Sequence, residues 1–213
     1  MKKYLTEFIG TFFLVLIIGL SQNPLAIGFG LTVLVYMGAH ISGAHYNPAV
    51  SLAMLMRKEI NINDFIKYIS SQVLGASLAA YVISIMMSNM IVQPDLQEPV
   101  AVILIAELLF TYLLVFVILN VATHPNLEGN SFYGFAIGLT VMTGAYCVGP
   151  LTGGVFNPAV SIGPSLIDLI TGNGISQHFL WYYLTAPVLG SVLAVIHFNF
   201  ILKKWKIYLQ LLQ

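Results

Sequence analysis

The chain has 213 residues, of which 58% are hydrophobic and only 8% are charged, and its basic and acidic residues balance to no net charge. So few charged side chains cannot cover a water-soluble globule, and they exclude a basic surface for nucleic acid. Lipid is therefore the expected solvent. At about 20 residues per spanning helix, the length allows about six or seven spans in a single transmembrane domain, with little chain left for a soluble one. We expect that domain to cover residues 1–213.

Six apolar segments, taken in chain order, are long enough to cross a bilayer as helices. They cover residues 4–20, 25–42, 65–89, 100–122, 131–148 and 179–202. The first resembles a secretory signal, but Glu7 lies inside it and no cleavage site follows, so we retain it as a span. Two further segments, which begin at Asn47 and Asn157, have only about ten residues each and are too short to cross.

The basic residues predict the orientation of the six spans. Counted along the chain, all of them lie on the side of the membrane that holds both termini, whereas the linker after the third span carries Asp95 and Glu98 and no cation. The basic residues are Lys2, Lys3, Arg57, Lys58, Lys67, Lys203, Lys204 and Lys206. By the positive-inside rule, both termini are cytoplasmic in a plasma (inner) membrane.

An internal repeat divides the chain into two halves, about 1–92 and about 99–213. The segment "EFIGT", which contains Glu7, recurs as "ELLFT", which contains Glu107, and "ISGAHYNPAV" recurs as "LTGGVFNPAV". Each half holds three spans and one short segment. Because three is odd, the second half enters the membrane from the opposite side, and the two short segments approach each other from opposite faces.

Each short segment begins with Asn-Pro-Ala, which predicts a helix that starts near the membrane midplane, because asparagine caps a helix and proline suits its first position. The two motifs are Asn47, Pro48 and Ala49, and Asn157, Pro158 and Ala159. Irregular backbone at that depth is tolerated around a wet cavity, so residues 41–46 and 151–156 should line a pore with free carbonyls. Two helix N-termini and two asparagine amides at one point favour a neutral solute and oppose a cation.

Two carboxylates within the spans, Glu7 and Glu107, have two interpretations. One is a proton relay or coupling-ion site. The other, which the pairing of one glutamate with one loop in each half favours, is that each carboxylate accepts hydrogen bonds from exposed amides of its re-entrant loop. His40 and His45 are candidates for the cytoplasmic mouth, but they have no partner at ligand spacing, so no metal site is expected. No cofactor is expected either.

The doubled Asn-Pro-Ala within an inverted repeat, the surrounding "HISGAHYNPAV" and the opening "EFIGT" are similar to the aquaporin and glycerol-facilitator family of major intrinsic proteins. The resemblance runs from Glu7 to about Phe200. It implies an all-α membrane fold of six transmembrane helices and two re-entrant half-helices. It also implies a homotetramer with one pore per subunit, and a channel rather than an enzyme, with the lipid bilayer and water or small neutral solutes as partners.

The resemblance further implies an outer selectivity filter, and here the chain departs from the family. Counted from the two asparagines, the four filter positions are Ile27, Ala145, Gly154 and Val160. Family members usually carry an arginine where Val160 stands. A two-residue slip would replace Ile27 with Phe29, but a helix tolerates such a slip poorly. His178 is the one distant substitute for the missing cation.

An apolar filter without arginine predicts a wider bore, in which the central asparagines supply most of the polar selectivity. We therefore expect a passive channel for water and/or small uncharged solutes such as glycerol, urea or metalloid hydroxides. Two other sequence features indicate different solute classes. The segment "YLTAP" at Tyr183 resembles nodulin-type members of the family, whereas Ser161, after the second motif, resembles water channels. Two alternatives stay open, namely a proton-coupled secondary transporter that uses Glu7 or Glu107, and a weakly selective relative that leaks ions.

Overall fold

The computed structural model describes the backbone of residues 1–211 and the side chains of residues 1–203. Within that part of the chain there are eight α-helices and no strand. The helices are α1 (Lys2–Ser21), α2 (Pro24–Ser42), α3 (Pro48–Met56), α4 (Ile62–Met86), α5 (Val100–Thr123), α6 (Tyr133–Thr152), α7 (Pro158–Thr171) and α8 (Leu180–Leu211). Short 3-10 turns at Pro125–Leu127 and Ser176–His178 precede α6 and α8. The predicted basic side chains of Lys204 and Lys206 lie outside the described residues.

Six of these helices are long and apolar enough to span a membrane, namely α1, α2, α4, α5, α6 and α8 as far as Lys203. They are the six predicted spans, and α3 and α7 are the two short segments, so the predicted all-helical membrane fold is confirmed. α1 packs on α4 and α5 packs on α8. The half-helix α3 contacts α8, and α7 contacts α4, so each half-helix packs against the last span of the other half.

A glycine ends each of the two spans that lead into the half-helices. Gly43 follows α2 and Gly153 follows α6, with φ of 89° and 88°. Glycine adopts this left-handed backbone at low cost because it has no Cβ. Residues 41–42 and 151–152, which the sequence also placed in the pore loops, are helical. α2 therefore ends at the predicted residue 42, whereas α6 runs four residues past the predicted end at residue 148. The irregular backbone before the half-helices is therefore confined to residues 43–46 and 153–156.

The second half-helix is longer than predicted. We expected Gly163-Pro164 to end it after about ten residues, but both residues are buried inside α7, which has 14 residues. Proline removes one backbone hydrogen bond from a helix. Gly163 lets α7 approach α4 so closely that a Cβ there would lie 2.5 Å from Ala76. Packing against α4 thus outweighs a weak local propensity.

Two glycines occupy equivalent places where the spans of each half approach most closely. A Cβ at Gly75 in α4 would lie 2.4 Å from the carbonyl oxygen of Phe8, and a Cβ at Gly190 in α8 would lie 2.4 Å from that of Leu108. The clashing atom is backbone in both cases, so no side-chain rotation relieves it. Small residues of this kind permit close packing between membrane helices.

We expect Gly190→Ala to lower the free energy of unfolding by about 1–3 kcal/mol, because the added methyl group overpacks the contact between α5 and α8. The measurement is thermal unfolding in detergent. Gly149→Ala is the matched control, since a Cβ at Gly149 meets nothing within 4 Å. Equal unfolding temperatures for the two variants would contradict the packing role of Gly190.

Candidate functional site: a cavity between two half-helices

The two Asn-Pro-Ala motifs meet through hydrogen bonds that cross between the halves. Asn47 accepts from the amide of Ala49 at 2.8 Å, which caps α3, and its Nδ2 donates to the carbonyl oxygen of Phe156 at 2.9 Å. Asn157 caps α7 in the same way, and its Nδ2 donates to the carbonyl oxygen of Tyr46 at 2.9 Å. Each carboxamide has two N–H groups. One N–H of each asparagine therefore has no partner among the described residues. The carbonyls of Tyr46 and Phe156 were predicted to be free, but each accepts a hydrogen bond from an asparagine.

The re-entrant loops, residues 43–46 and 153–156, contain left-handed backbone at non-glycine positions. Tyr46 and Phe156 occupy equivalent places, and both have φ of 48°. A non-glycine residue in this region costs about 1–3 kcal/mol, so the surroundings must hold it. Backbone of this shape can turn successive N–H groups towards one side, where a single anion can accept them.

The carboxylates of Glu7 and Glu107 accept hydrogen bonds from the amides of these loops. The carboxylate of Glu7 accepts from the amides of His45 at 3.0 Å and Tyr46 at 2.7 Å. Glu107 accepts from the equivalent pair of amides at 3.0 and 2.8 Å. The hydroxyl group of Ser42, at the end of α2, donates to Glu7 at 2.7 Å. The hydroxyl group of Thr152, at the end of α6, donates to Glu107 at the same distance of 2.7 Å. Both glutamates are fully buried, and neither lines the cavity described next.

A cavity of about 700 Å³ runs between the half-helices and opens at the face opposite the termini. Asn47 and Asn157 both line it, and so do all four predicted filter positions. Those positions are Ile27, Ala145, Gly154 and Val160. Phe29, the alternative to Ile27, is 44% exposed, and its ring packs against Phe135 outside the cavity. Of these two residues, only Ile27 lines the described cavity.

The three histidines named from the sequence lie in different surroundings. His45 lines the cavity, and its ring packs edge-on against Tyr68. His40 is exposed and is not part of the described lining. His178, considered as a substitute cation, is likewise exposed and outside the described lining. Of these three histidines, His45 alone lines the described cavity.

A chain of hydrogen bonds connects Glu7 to the ring of His45. Gln72 Nε2 donates to Glu7 at 2.7 Å and to the hydroxyl oxygen of Ser51 at 3.0 Å. Because the Ser51 oxygen accepts from Gln72, its own hydrogen is free to donate to Nδ1 of His45, 3.1 Å away. That arrangement favours the tautomer with hydrogen on Nε2. In that tautomer, the Nε2–H of the imidazole is a hydrogen-bond donor.

The cavity wall carries no charge in the part of the chain that the structure describes, because no Lys, Arg, Asp or Glu belongs to the lining. The single arginine, Arg57, lies at the end of α3, where it donates to Asn199, and its guanidinium lies 5.0 Å from the ring centre of Phe198. It is held against α8 and is not part of the described cavity lining.

The valines that follow the two motifs are more alike than predicted. The sequence suggests that Val50 packs in the scaffold and that Val160 alone faces the solute, but both line the cavity. Each is 3% exposed. The inverted repeat explains the result, since equivalent positions of α3 and α7 face the same axis from opposite sides.

Sequence reasoning missed two parts of the site. Gln72 joins Glu7 to Ser51, and its signal was a glutamine in the middle of an apolar span. Residues 87–93, which form a loop between α4 and α5, line the cavity at its open end. No local pattern indicated this, because their position depends on contacts with α7 and the turn before α8.

The fold and this site can be compared with known proteins. A model of the major intrinsic protein family matches residues 1–198. The chain belongs to the major intrinsic protein family. It is 38% identical over 211 residues to glycerol uptake facilitator protein-like 6 of Lactiplantibacillus plantarum, covering 91% of this chain and 95% of that protein. It is 33% identical to nodulin-26 of Glycine max, covering 94% of this chain and 78% of that one.

The fold also matches a solved member. The X-ray structure of the aquaglyceroporin from Plasmodium falciparum superposes with a TM-score of 0.81 at 21% identity, covering 93% of this chain and 95% of that one. Proteins of the major intrinsic protein family are channels and not enzymes. The chain is therefore an integral membrane channel for water or small solutes.

Proposed function

We propose that this channel passes small uncharged solutes of the glycerol and urea class, together with water, and that metalloid hydroxides of similar size belong to the same group. One observation carries the proposal: the apolar side chain of Val160 lines the cavity where the family usually has an arginine. The three companion positions, Ile27, Ala145 and Gly154, are also apolar or small. With fewer hydrogen-bond donors and shorter side chains, a filter of these four residues gives a wider pore, which favours a solute larger than water.

The proposal assigns polar selectivity to the central asparagines. The spare N–H groups of Asn47 and Asn157 can donate to a solute oxygen, and the N-termini of α3 and α7 add positive potential at the same place. A neutral solute with lone pairs gains hydrogen bonds there. A cation loses its hydration and finds no carboxylate among the described residues of the wall, so it meets a barrier.

One relative supports the same solute class. The protein from Lactiplantibacillus plantarum is named glycerol uptake facilitator protein-like 6, and the match covers 91% of this chain and 95% of that one. The test is stopped-flow light scattering on proteoliposomes, with water, glycerol and urea measured on one preparation. We expect glycerol and urea to equilibrate faster than in protein-free vesicles. A preparation that conducts water but leaves glycerol and urea at the protein-free rate would overturn the proposal.

We propose that transport is passive and that Glu7 and Glu107 serve as supports for the re-entrant loops. Their carboxylates are fully buried, accept hydrogen bonds from loop amides and do not line the described cavity. A coupling site requires a carboxylate that exchanges protons along the transport path. These two have no contact with that path in the described residues.

We expect glycerol uptake into proteoliposomes to be indifferent to a pH gradient of either sign, because no exchangeable carboxylate contacts the solute. The measurement is the rate and final extent of uptake with the inside acidic, neutral and alkaline. Vesicles with equal pH on both sides are the control. Accumulation of glycerol above the external concentration under one gradient would establish coupling and contradict a passive channel.

We further propose that both termini are cytoplasmic in a plasma membrane and that four copies assemble with one pore each. The basic residues near the start of α1 and the end of α3 support the orientation. For the assembly, the measurement is the detergent-corrected mass of the purified protein, expected at four times the 23.3 kDa subunit. A mass equal to one subunit would contradict the tetramer and leave the pore proposal intact.

A further inference from the structure

Seven consecutive residues of the loop between α4 and α5 line the open end of the cavity. They are residues 87–93, called the mouth segment below. The loop continues without a further helix as far as Val100, where α5 begins. A solute that enters from this face passes the mouth segment before it reaches the four proposed filter positions.

The mouth segment is held at several points around the opening. Thr171 at the end of α7 donates to the Asn89 side chain at 3.1 Å, and the amide of Val92 donates to Ser176 at 3.0 Å. Met90 lies against α1, where a Cβ at Gly19 would be 3.3 Å from its sulfur. These contacts join the segment to α7, to the turn before α8 and to α1. The mouth segment is therefore a part of the cavity wall that defined contacts hold in place.

The segment also contacts the second re-entrant loop. A Cβ at Gly153 would lie 3.4 Å from the carbonyl oxygen of Gln93, and two residues further on the amide of Asp95 donates to Leu151 at 3.0 Å. Gln93 is thus placed beside the loop that carries Gly154. The end of the mouth segment and the proposed filter are direct neighbours.

The polar side chains of the mouth are uncharged: they are the carboxamides of Gln22, Asn89 and Gln93 and the hydroxyls of Ser88 and Tyr146. Gln93 lines the cavity from the mouth segment, and Gln22 lines it from the end of α1. Neither carboxamide has a hydrogen-bond partner among the described residues, and both residues are exposed. A carboxamide offers both donors and an acceptor. Deeper in the cavity, the proposed filter positions offer no side-chain donor at all.

A neutral wall of this kind selects by hydrogen bonding and not by charge. A mouth lined by one sign of charge would concentrate ions of the other sign, but no charged residue lines the described cavity. A solute with several hydroxyl groups can exchange part of its hydration for the two carboxamides before it enters the apolar section. Water gains less, because it carries fewer groups to exchange.

We propose that Gln22 and Gln93 are specificity-determining residues, which receive neutral solutes with two or more hydroxyl groups at the mouth and so compensate for the apolar filter. This inference rests on the proposed function, since it names residues that select the solute of the same pore. The central asparagines then act second, after the solute has crossed the positions around Val160.

The test is the ratio of glycerol to water permeability in proteoliposomes containing Gln93→Leu, Gln22→Leu and the double variant. We expect the ratio to fall by about two- to tenfold in each single variant, the range that loss of one hydrogen bond supplies, and to fall further in the double variant. Gln97→Leu is the matched control, since Gln97 lies in the same loop but is not part of the described lining. Its ratio should equal that of the unmodified protein.

The outcomes separate this inference from the proposed function. The ratio is a property of each folded channel, so poor yield of a variant does not imitate the effect. If the unmodified protein conducts glycerol and every variant keeps the same ratio, the mouth residues do not select and the inference is overturned. If the unmodified protein conducts no glycerol, the proposed function fails before the variants are compared.

Discussion

Val160→Arg is expected to reduce glycerol permeability by at least about tenfold, which corresponds to about 1.4 kcal/mol at the barrier. Val160 is 3% exposed, and its side chain lies in the wall of the cavity at the level of the proposed filter. An arginine there projects a long side chain and a strongly hydrated charge into the path. Water, which is smaller and can hydrogen bond around the guanidinium, should lose less permeability than glycerol.

The bulk of the new side chain and its charge can be separated. Val160→Met adds length without charge, so we expect an intermediate loss of glycerol permeability. Both variants are measured by stopped-flow light scattering on vesicles with matched protein content. If Val160→Arg conducts glycerol as fast as the unmodified protein, Val160 does not lie at the narrow part of the path. The assignment of all four filter positions would then fail.

Glu107→Leu is expected to lower the free energy of unfolding by about 2–6 kcal/mol, because two buried backbone amides lose their only acceptor at about 1–3 kcal/mol each. The amides are those of Val155 and Phe156, which donate to Glu107 at 3.0 and 2.8 Å. Phe156 also has a positive φ that these bonds help to hold. Losing the loop geometry should move Asn157 as well, so conduction should fall together with stability.

Two further variants make the Glu107 measurement specific. Glu107→Gln keeps one acceptor oxygen and should lose less stability than Glu107→Leu. Glu128→Leu makes the same change at an exposed position and should alter stability by no more than about 0.5 kcal/mol. The readouts are thermal unfolding in detergent and glycerol permeability. A Glu107→Leu protein with normal stability and altered response to a pH gradient would favour the coupling interpretation over the loop support.

The parts of this molecule that were predictable from sequence are those determined by local chemistry. Asn47 and Asn157 cap helices that begin with proline, and the cap geometry follows from those residue types alone. The six spans follow from length and hydrophobicity. The cavity lining also includes all four residues obtained by counting from the asparagines. Gly154 and Val160 lie three residues before and three residues after Asn157, whereas Ile27 and Ala145 lie on α2 and α6.

The parts that were missed depend on tertiary contacts. Gly163 and Pro164 indicate a helix end by propensity, yet packing on α4 keeps them helical. Val50 and Val160 both line the cavity, although the sequence suggested that only Val160 does. The mouth segment has no periodicity to detect, and Thr171 and Ser176, far along the chain, determine where it lies.

The most direct test of a passive channel for neutral solutes without a filter arginine is to measure glycerol and proton permeability on the same proteoliposomes. We predict that glycerol equilibrates at a rate that rises with the amount of protein, while the proton leak, followed by an internal pH dye, stays at the level of protein-free vesicles. A proton leak that rises with protein content, or glycerol flux that does not, would contradict the account.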